Sequence, residues 1–152
     1  MNKIQFDIND IGESGLHFKS EQPPTFLSDI GNSLSTVENI KINSNVSIDA
    51  NIYKDDKQIV LNGYLNLKYT SPCSRCLTDV NLQINTELNL ILVPDNGREV
   101  EYENDTIVIP YTGSTIDITD YLTEMISTSF PLKILCSDNC KGLCPNCGAD
   151  LN

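Results

Sequence analysis

Apolar and polar side chains alternate through much of the middle of this chain. Ile40 and Ile42, then Val46, Ile48, Ala50 and Ile52, are separated by polar neighbours. A period of two predicts strands with one covered face. Tyr53–Lys57 reads as a hairpin turn, and Ile59, Leu61 and Gly63 open the return strand. That strand continues with Leu65, Leu67 and Tyr69 on one face and Tyr64, Asn66 and Lys68 on the other. Thr70-Ser71-Pro72 ends it. Val80, Leu82, Ile84, Thr86, Leu88 and Leu90 then repeat the alternation. Cys73-Ser74-Arg75-Cys76 therefore sits in the turn between two long strands.

The flanks are less regular. Ile4, Phe6 and Ile8 predict an edge strand within Met1–Asp10, broken by Gly12 and Gly15. Pro23-Pro24 interrupts regular structure, so the stretch from Ile11 to about Asn32 reads as a long connection or extended arm. Pro94-Asp95-Asn96-Gly97 is a turn, Glu99–Asn104 an exposed, mobile segment, and Ile107-Val108-Ile109 a short strand before Pro110. One helix is legible. Asp117 can cap it, and Ile118, Tyr121, Leu122, Met125 and Ile126 form a single apolar stripe, with Asp120, Thr123, Glu124 and Ser127 facing out. Pro131 stops it. The expected class is α+β: a mainly antiparallel sheet, one packed helix in the C-terminal half and a cysteine-rich, zinc-binding tail. A single domain over 1–152 divides into an N-terminal strand and arm (1–39), antiparallel strands carrying the Cys73–Cys76 turn (40–110), a helix (117–130) and the tail (131–152).

Charge narrows the partners. The formal net charge is -11, and between Asp79 and Glu124 the only basic side chain is Arg98. Such a surface attracts a basic protein partner and disfavours a strong grip on nucleic acid, which needs clustered Lys and Arg. Lys68, Arg75, Lys133 and Lys141 lie near the cysteines in sequence and make at most a weak patch. No run of about 18 apolar residues and no basic-then-apolar opening is present, so neither a membrane span nor a signal peptide is expected. A cytoplasmic setting follows.

The six cysteines carry the chemistry. Cys73 and Cys76 form one C-x2-C pair; Cys136, Cys140, Cys144 and Cys147 close the chain. In a reducing compartment clustered C-x2-C pairs point to metal ahead of disulfides or thiol exchange. Zn2+ takes four ligands, and three layouts use four of the six. Cys73 and Cys76 can join Cys144 and Cys147; the tail can supply Cys136, Cys140, Cys144 and Cys147 by itself; or Cys73 and Cys76 can join Cys136 and Cys140. Spacing ranks them in that order. Arg75, Lys133 and Lys141 are placed to ease the net negative charge of four thiolates around one ion. Catalysis finds little support. His17 is the only imidazole, Glu99, Glu101 and Glu103 have no partner in view, and no glycine-rich phosphate loop appears.

In context these residues resemble the YceD-like family, also known as DUF177, the large ribosomal RNA subunit accumulation proteins. The resemblance rests on Cys73-Ser74-Arg75-Cys76-Leu77 after a strand, and on Ile116-Asp117-Ile118 opening a helix that ends in Phe130-Pro131-Leu132. It also rests on Leu135-Cys136, on the run Cys140–Gly148 and on Asp150-Leu151-Asn152. It covers roughly the second half of the chain. It implies a cytoplasmic, non-enzymatic factor for synthesis, processing or accumulation of large-subunit (23S) ribosomal RNA. A basic ribosomal or assembly protein is the expected partner, direct ribosomal RNA contact is secondary, and neither a membrane nor a small-molecule substrate is expected. A purely structural zinc-stabilised interaction domain and a direct RNA-binding module are the competing readings.

Overall fold

The computed structural model describes residues 3–29 and 39–152. Strands β1 (Gln5–Asp7), β2 (Leu16–Gln22), β3 (Lys41–Ile42), β4 (Val46–Asp55), β5 (Gln58–Pro72), β6 (Asp79–Pro94), β7 (Glu101–Glu103), β8 (Thr106–Tyr111) and β9 (Thr115–Asp117) accompany two α-helices. These are α1 (Thr25–Asp29) and α2 (Thr119–Ser129). The main sheet runs β2-β4-β5-β6-β8-β7, with β3 also pairing β5; β1 and β9 form a separate pair. All pairings are antiparallel except β6 with β8. The fold is α+β with a mostly antiparallel sheet, as the alternation predicts.

The centre of the sheet follows directly from the pattern. Odd-numbered apolar residues of β5 (Ile59, Leu61, Leu65, Leu67, Tyr69) and even-numbered ones of β6 (Ile84, Leu88, Leu90, Leu92) are buried. They share one core with Val46, Ile48, Ala50 and Ile52 of β4. Helix α2 covers this face through Leu122 and Ile126. Phe130, just past its end, packs edge-on against Tyr69 with ring centroids 5.0 Å apart. That contact delivers the chain leaving α2 to the end of β5 that carries the cysteine turn. Ile4 N–H donates to the Thr119 hydroxyl at 2.8 Å, and Ile118 N–H to the Ile4 carbonyl at 2.9 Å, fastening the N-terminal segment to the start of α2.

Several expectations need correction. The stretch read as an arm contains β2, paired residue for residue along β4 from Leu16↔Ile52 to Gln22↔Val46. Its covered positions include Ser20 and Gln22, so its alternation is too weak to read, yet an edge strand with its backbone paired needs few apolar contacts. The rest of that arm, 30–38, lies outside the described residues. Glu99–Asn104 is exposed as expected, but Glu101–Glu103 forms β7, folded back on β8 through a turn at Asn104 and Asp105. The hairpin turn after β4 is tighter than Tyr53–Lys57: pairing continues to Asp55↔Gln58. Helix α2 begins at Thr119, after the short strand β9. Thr123, expected outside, is buried; its hydroxyl donates to the Thr119 carbonyl at 2.8 Å, which removes the penalty of burying it.

Candidate metal centre

Strands β5 and β6 stay in register to Pro72↔Asp79, so the six residues between them are forced into a tight knuckle. Cys73 N–H donates to the Thr78 carbonyl at 2.8 Å, and Leu77 N–H to the Cys73 carbonyl at 3.0 Å. Leu77 takes the left-handed conformation, φ 62°, to close the turn. The N–H of Arg75 points at the Cys73 sulfur at 3.5 Å. Both thiols of the pair thereby face one side.

The tail meets that side. Ile134, buried at the foot of α2, places its carbonyl on the Ser74 N–H at 2.7 Å, and its own N–H donates to Ser74 Oγ at 3.2 Å. This docking brings Cys136 and Cys140 over the knuckle. Sγ of Cys73 lies 3.7 Å from that of Cys140, and Sγ of Cys76 lies 3.6 Å from that of Cys136. All four sulfurs fall within 4.8 Å of one another. A tetrahedron with Zn–S bonds of about 2.3 Å has S–S edges of about 3.8 Å, so the arrangement suits a tetrathiolate ion. It does not suit a disulfide, whose sulfurs approach to about 2 Å; all six cysteines are free.

The layout that spacing ranked last is therefore the one the fold assembles. Cys144 and Cys147 stand outside this group of four, unlike in the two layouts that used them. Cys73, Cys76 and Cys140 are buried and Cys136 is exposed.

Charge is divided unevenly over the four thiols. The N–H of Cys76, with that of Arg75, lowers the Cys73 thiol to about 6. Cys140 is also lowered, first by the Asn152 side-chain amide, whose nitrogen lies 3.4 Å from the sulfur. Cys136 is pushed up to about 12, first by sharing its hydrogen with Cys76, then by the neighbouring Cys140. Thiolates are the form that ligates a metal, and N–H groups directed at Cys73 and Cys140 favour that form.

Arg75 supports the site differently from expectation. Its guanidinium donates to the Cys140 carbonyl at 2.8 Å and so braces the backbone that carries the ligand. Lys141 contributes its backbone N–H, which donates to Asn152 Oδ1 at 2.9 Å. Ser74, Ile134 and Asn152 are positioning residues that reading by residue type missed. Only the placement of Ser74 between two cysteines and the Asp150-Leu151-Asn152 ending hinted at two of them. His17 lies on β2, paired to Asp49 at 2.6 Å, and belongs to no metal-ligating group among the described residues.

The family described as large ribosomal RNA subunit accumulation protein YceD matches residues 61–152, from near the start of β5 to the last residue. The chain belongs to the YceD family. The description of the family and those of its plant relatives name accumulation of the large ribosomal RNA subunit. An uncharacterized protein of Mycobacterium leprae is 26% identical over 99% of this chain and 69% of its own length. An uncharacterized protein of Mycobacterium tuberculosis is 24% identical over 70% of this chain and 51% of its own length. The chloroplastic large ribosomal RNA subunit accumulation protein YCED homolog 1 of Zea mays is 34% identical over 42% of this chain and 22% of its own length. The chain thus spans between about a fifth and two thirds of these relatives. No solved structure matches it. Among the described residues no helix is long and apolar enough to cross a membrane.

Proposed function

We propose that this chain is a zinc-stabilised cytoplasmic factor for accumulation of large-subunit (23S) ribosomal RNA, acting by contact with a basic ribosomal or assembly protein. The zinc reading is carried by one observation: four sulfurs from distant parts of the chain converge within 4.8 Å. Cys73, Cys76, Cys136 and Cys140 would hold the ion, whose part is structural. It fastens the tail to the tip of the β5–β6 hairpin and fixes the surface around it, where Leu77 and Leu132 are exposed.

The partner reading draws support from charge. Between β6, the β7–β8 hairpin and α2 lies an open cleft of about 520 Å³, lined by Glu87, Asp105 and Glu124 beside Tyr102, Ile107 and Met125. Acidic rims over apolar floors suit a basic segment with some apolar side chains. Direct RNA contact is weaker, because Arg75, a cation beside the cluster, already serves the Cys140 carbonyl.

Gradient sedimentation of cell extract containing the full chain tests this reading. Association with large-subunit precursors that is lost on chelation supports it. Absence from every particle fraction leaves a purely structural zinc domain. Tight binding to bare ribosomal RNA fragments with a steep salt dependence transfers the function to direct RNA contact.

A further inference from the structure

The chain builds the same knuckle twice. At Cys144-Pro145-Asn146-Cys147-Gly148, Cys144 N–H donates to the Ala149 carbonyl at 2.7 Å, and Gly148 N–H to the Cys144 carbonyl at 2.8 Å. Cys73 makes the equivalent pair of bonds with Thr78 and Leu77, at 2.8 and 3.0 Å. The fifth residue of each knuckle is left-handed: Leu77 at φ 62° and Gly148 at φ 73°. In the first knuckle the N–H of Arg75, two positions on, points at the Cys73 sulfur at 3.5 Å. Backbone N–H groups directed at sulfur stabilise the thiolate, the form that ligates metal.

The two knuckles differ in what completes them. Cys73 and Cys76 find Cys136 and Cys140 within the chain. Among the described residues no group of three or more metal-ligating side chains includes Cys144 or Cys147. Every cysteine and the single histidine of the chain lie among those residues, so no further thiol or imidazole remains to be placed. Cys147 is exposed and Cys144 partly so.

We propose that Cys144 and Cys147 form a zinc half-site, which completes its four ligands with the same two thiolates of a second copy of this chain. A two-fold axis through one ion turns a two-thiolate knuckle into a tetrahedral four-thiolate site without any new residue type. The strong negative charge of the chain does not stand in the way. From residue 131 to the end, Lys133 and Lys141 balance Asp138 and Asp150, and the excess acid lies upstream. The inference is independent of the ribosomal reading.

The test uses the full reduced chain, titrated with zinc alone, reading molar mass by sedimentation equilibrium and bound zinc by elemental analysis. The expected wild-type species is a dimer holding about three ions per two chains. Cys144→Ser/Cys147→Ser is expected to stay monomeric with about one ion per chain and an unchanged circular dichroism spectrum. Cys147→Ser alone alters only an exposed side chain and is expected to abolish the dimer as well. A wild-type chain that remains monomeric at every zinc level, whether with one ion or two, overturns the proposal. So does a doubly substituted chain that dimerises like wild type.

Discussion

Ser74 and Ile134 hold each other by two reciprocal hydrogen bonds: the Ser74 N–H donates to the Ile134 carbonyl at 2.7 Å, and the Ile134 N–H donates to Ser74 Oγ at 3.2 Å. This pair decides where the tail lands, and hence which cysteines meet. Ser74→Ala leaves the Ile134 N–H without its acceptor beside a buried side chain. It should cost about 1–2 kcal/mol and weaken zinc binding, although no ligand is touched. Thermal unfolding with and without a competing chelator measures both effects.

Left-handed residues close both knuckles, but only one is glycine. Leu77 stands at φ 62° with its side chain exposed. Leu77→Gly removes a conformational cost of roughly 1 kcal/mol, partly offset by the greater freedom of glycine in the unfolded chain. It should therefore raise the melting temperature slightly while weakening partner capture, because an exposed apolar contact is lost. Gly148→Ala should move stability the other way by about 1 kcal/mol. An added Cβ there meets nothing within 4 Å, so only backbone conformation is at stake. A loss of stability in Leu77→Gly would contradict this account of the turn.

Gly63 of β5 pairs with Ala50 of β4. A Cβ built on it would lie 2.2 Å from the Asp49 carbonyl oxygen and 2.5 Å from Ala50 Cα, both backbone atoms that cannot turn aside. Gly63→Ala should cost about 3 kcal/mol, at the upper end for an overpacked interior. Denaturant unfolding should show a lower midpoint with an unchanged slope.

Acid should act through Asp117. Partial burial raises its pKa, but hydrogen bonds from Thr119 and the Lys3 ammonium outweigh that and hold the carboxyl below the ordinary carboxylate range. The Lys3 contact is 3.2 Å. A depressed carboxylate adds stability above its unfolded pKa, near 4, and loses it as pH falls through the lower folded value. Asp117→Asn keeps an acceptor for the Thr119 N–H and removes the charge. It should be less stable than wild type at neutral pH by roughly 0.5 kcal/mol, a small figure because the pair is solvent-exposed. The two stability curves should converge as pH falls through the lowered folded value, as followed by thermal melts across pH. Equal separation at all pH values would refute the electrostatic role.

Much of this fold is legible because its core strands carry a clean period of two. Leu65, Leu67 and Tyr69, or Leu88 and Leu90, announce their buried face without help from the rest of the chain. Strand β2 does not, since an edge strand spends its backbone on pairing and tolerates Ser20 and Gln22 at covered positions. Thr123 misleads because its hydroxyl finds a partner one helical turn back. The metal centre shows the same division. That cysteines gather is evident from C-x2-C spacing, whereas the choice of four depends on Ile134 docking against Ser74. That contact spans sixty positions and leaves no local trace. Spacing favoured the pairing of two like knuckles; tertiary structure instead joins one knuckle to the chain leaving α2.

X-ray absorption at the zinc edge on Cys144→Ser/Cys147→Ser, with the same chain further carrying Cys73→Ser/Cys140→Ser as its counterpart, bears most directly on the centre. The account predicts one ion with four sulfur ligands at about 2.3 Å in the first chain, and loss of that ion in the second. Loss of zinc from the first chain, or a four-sulfur site persisting in the second, would contradict it.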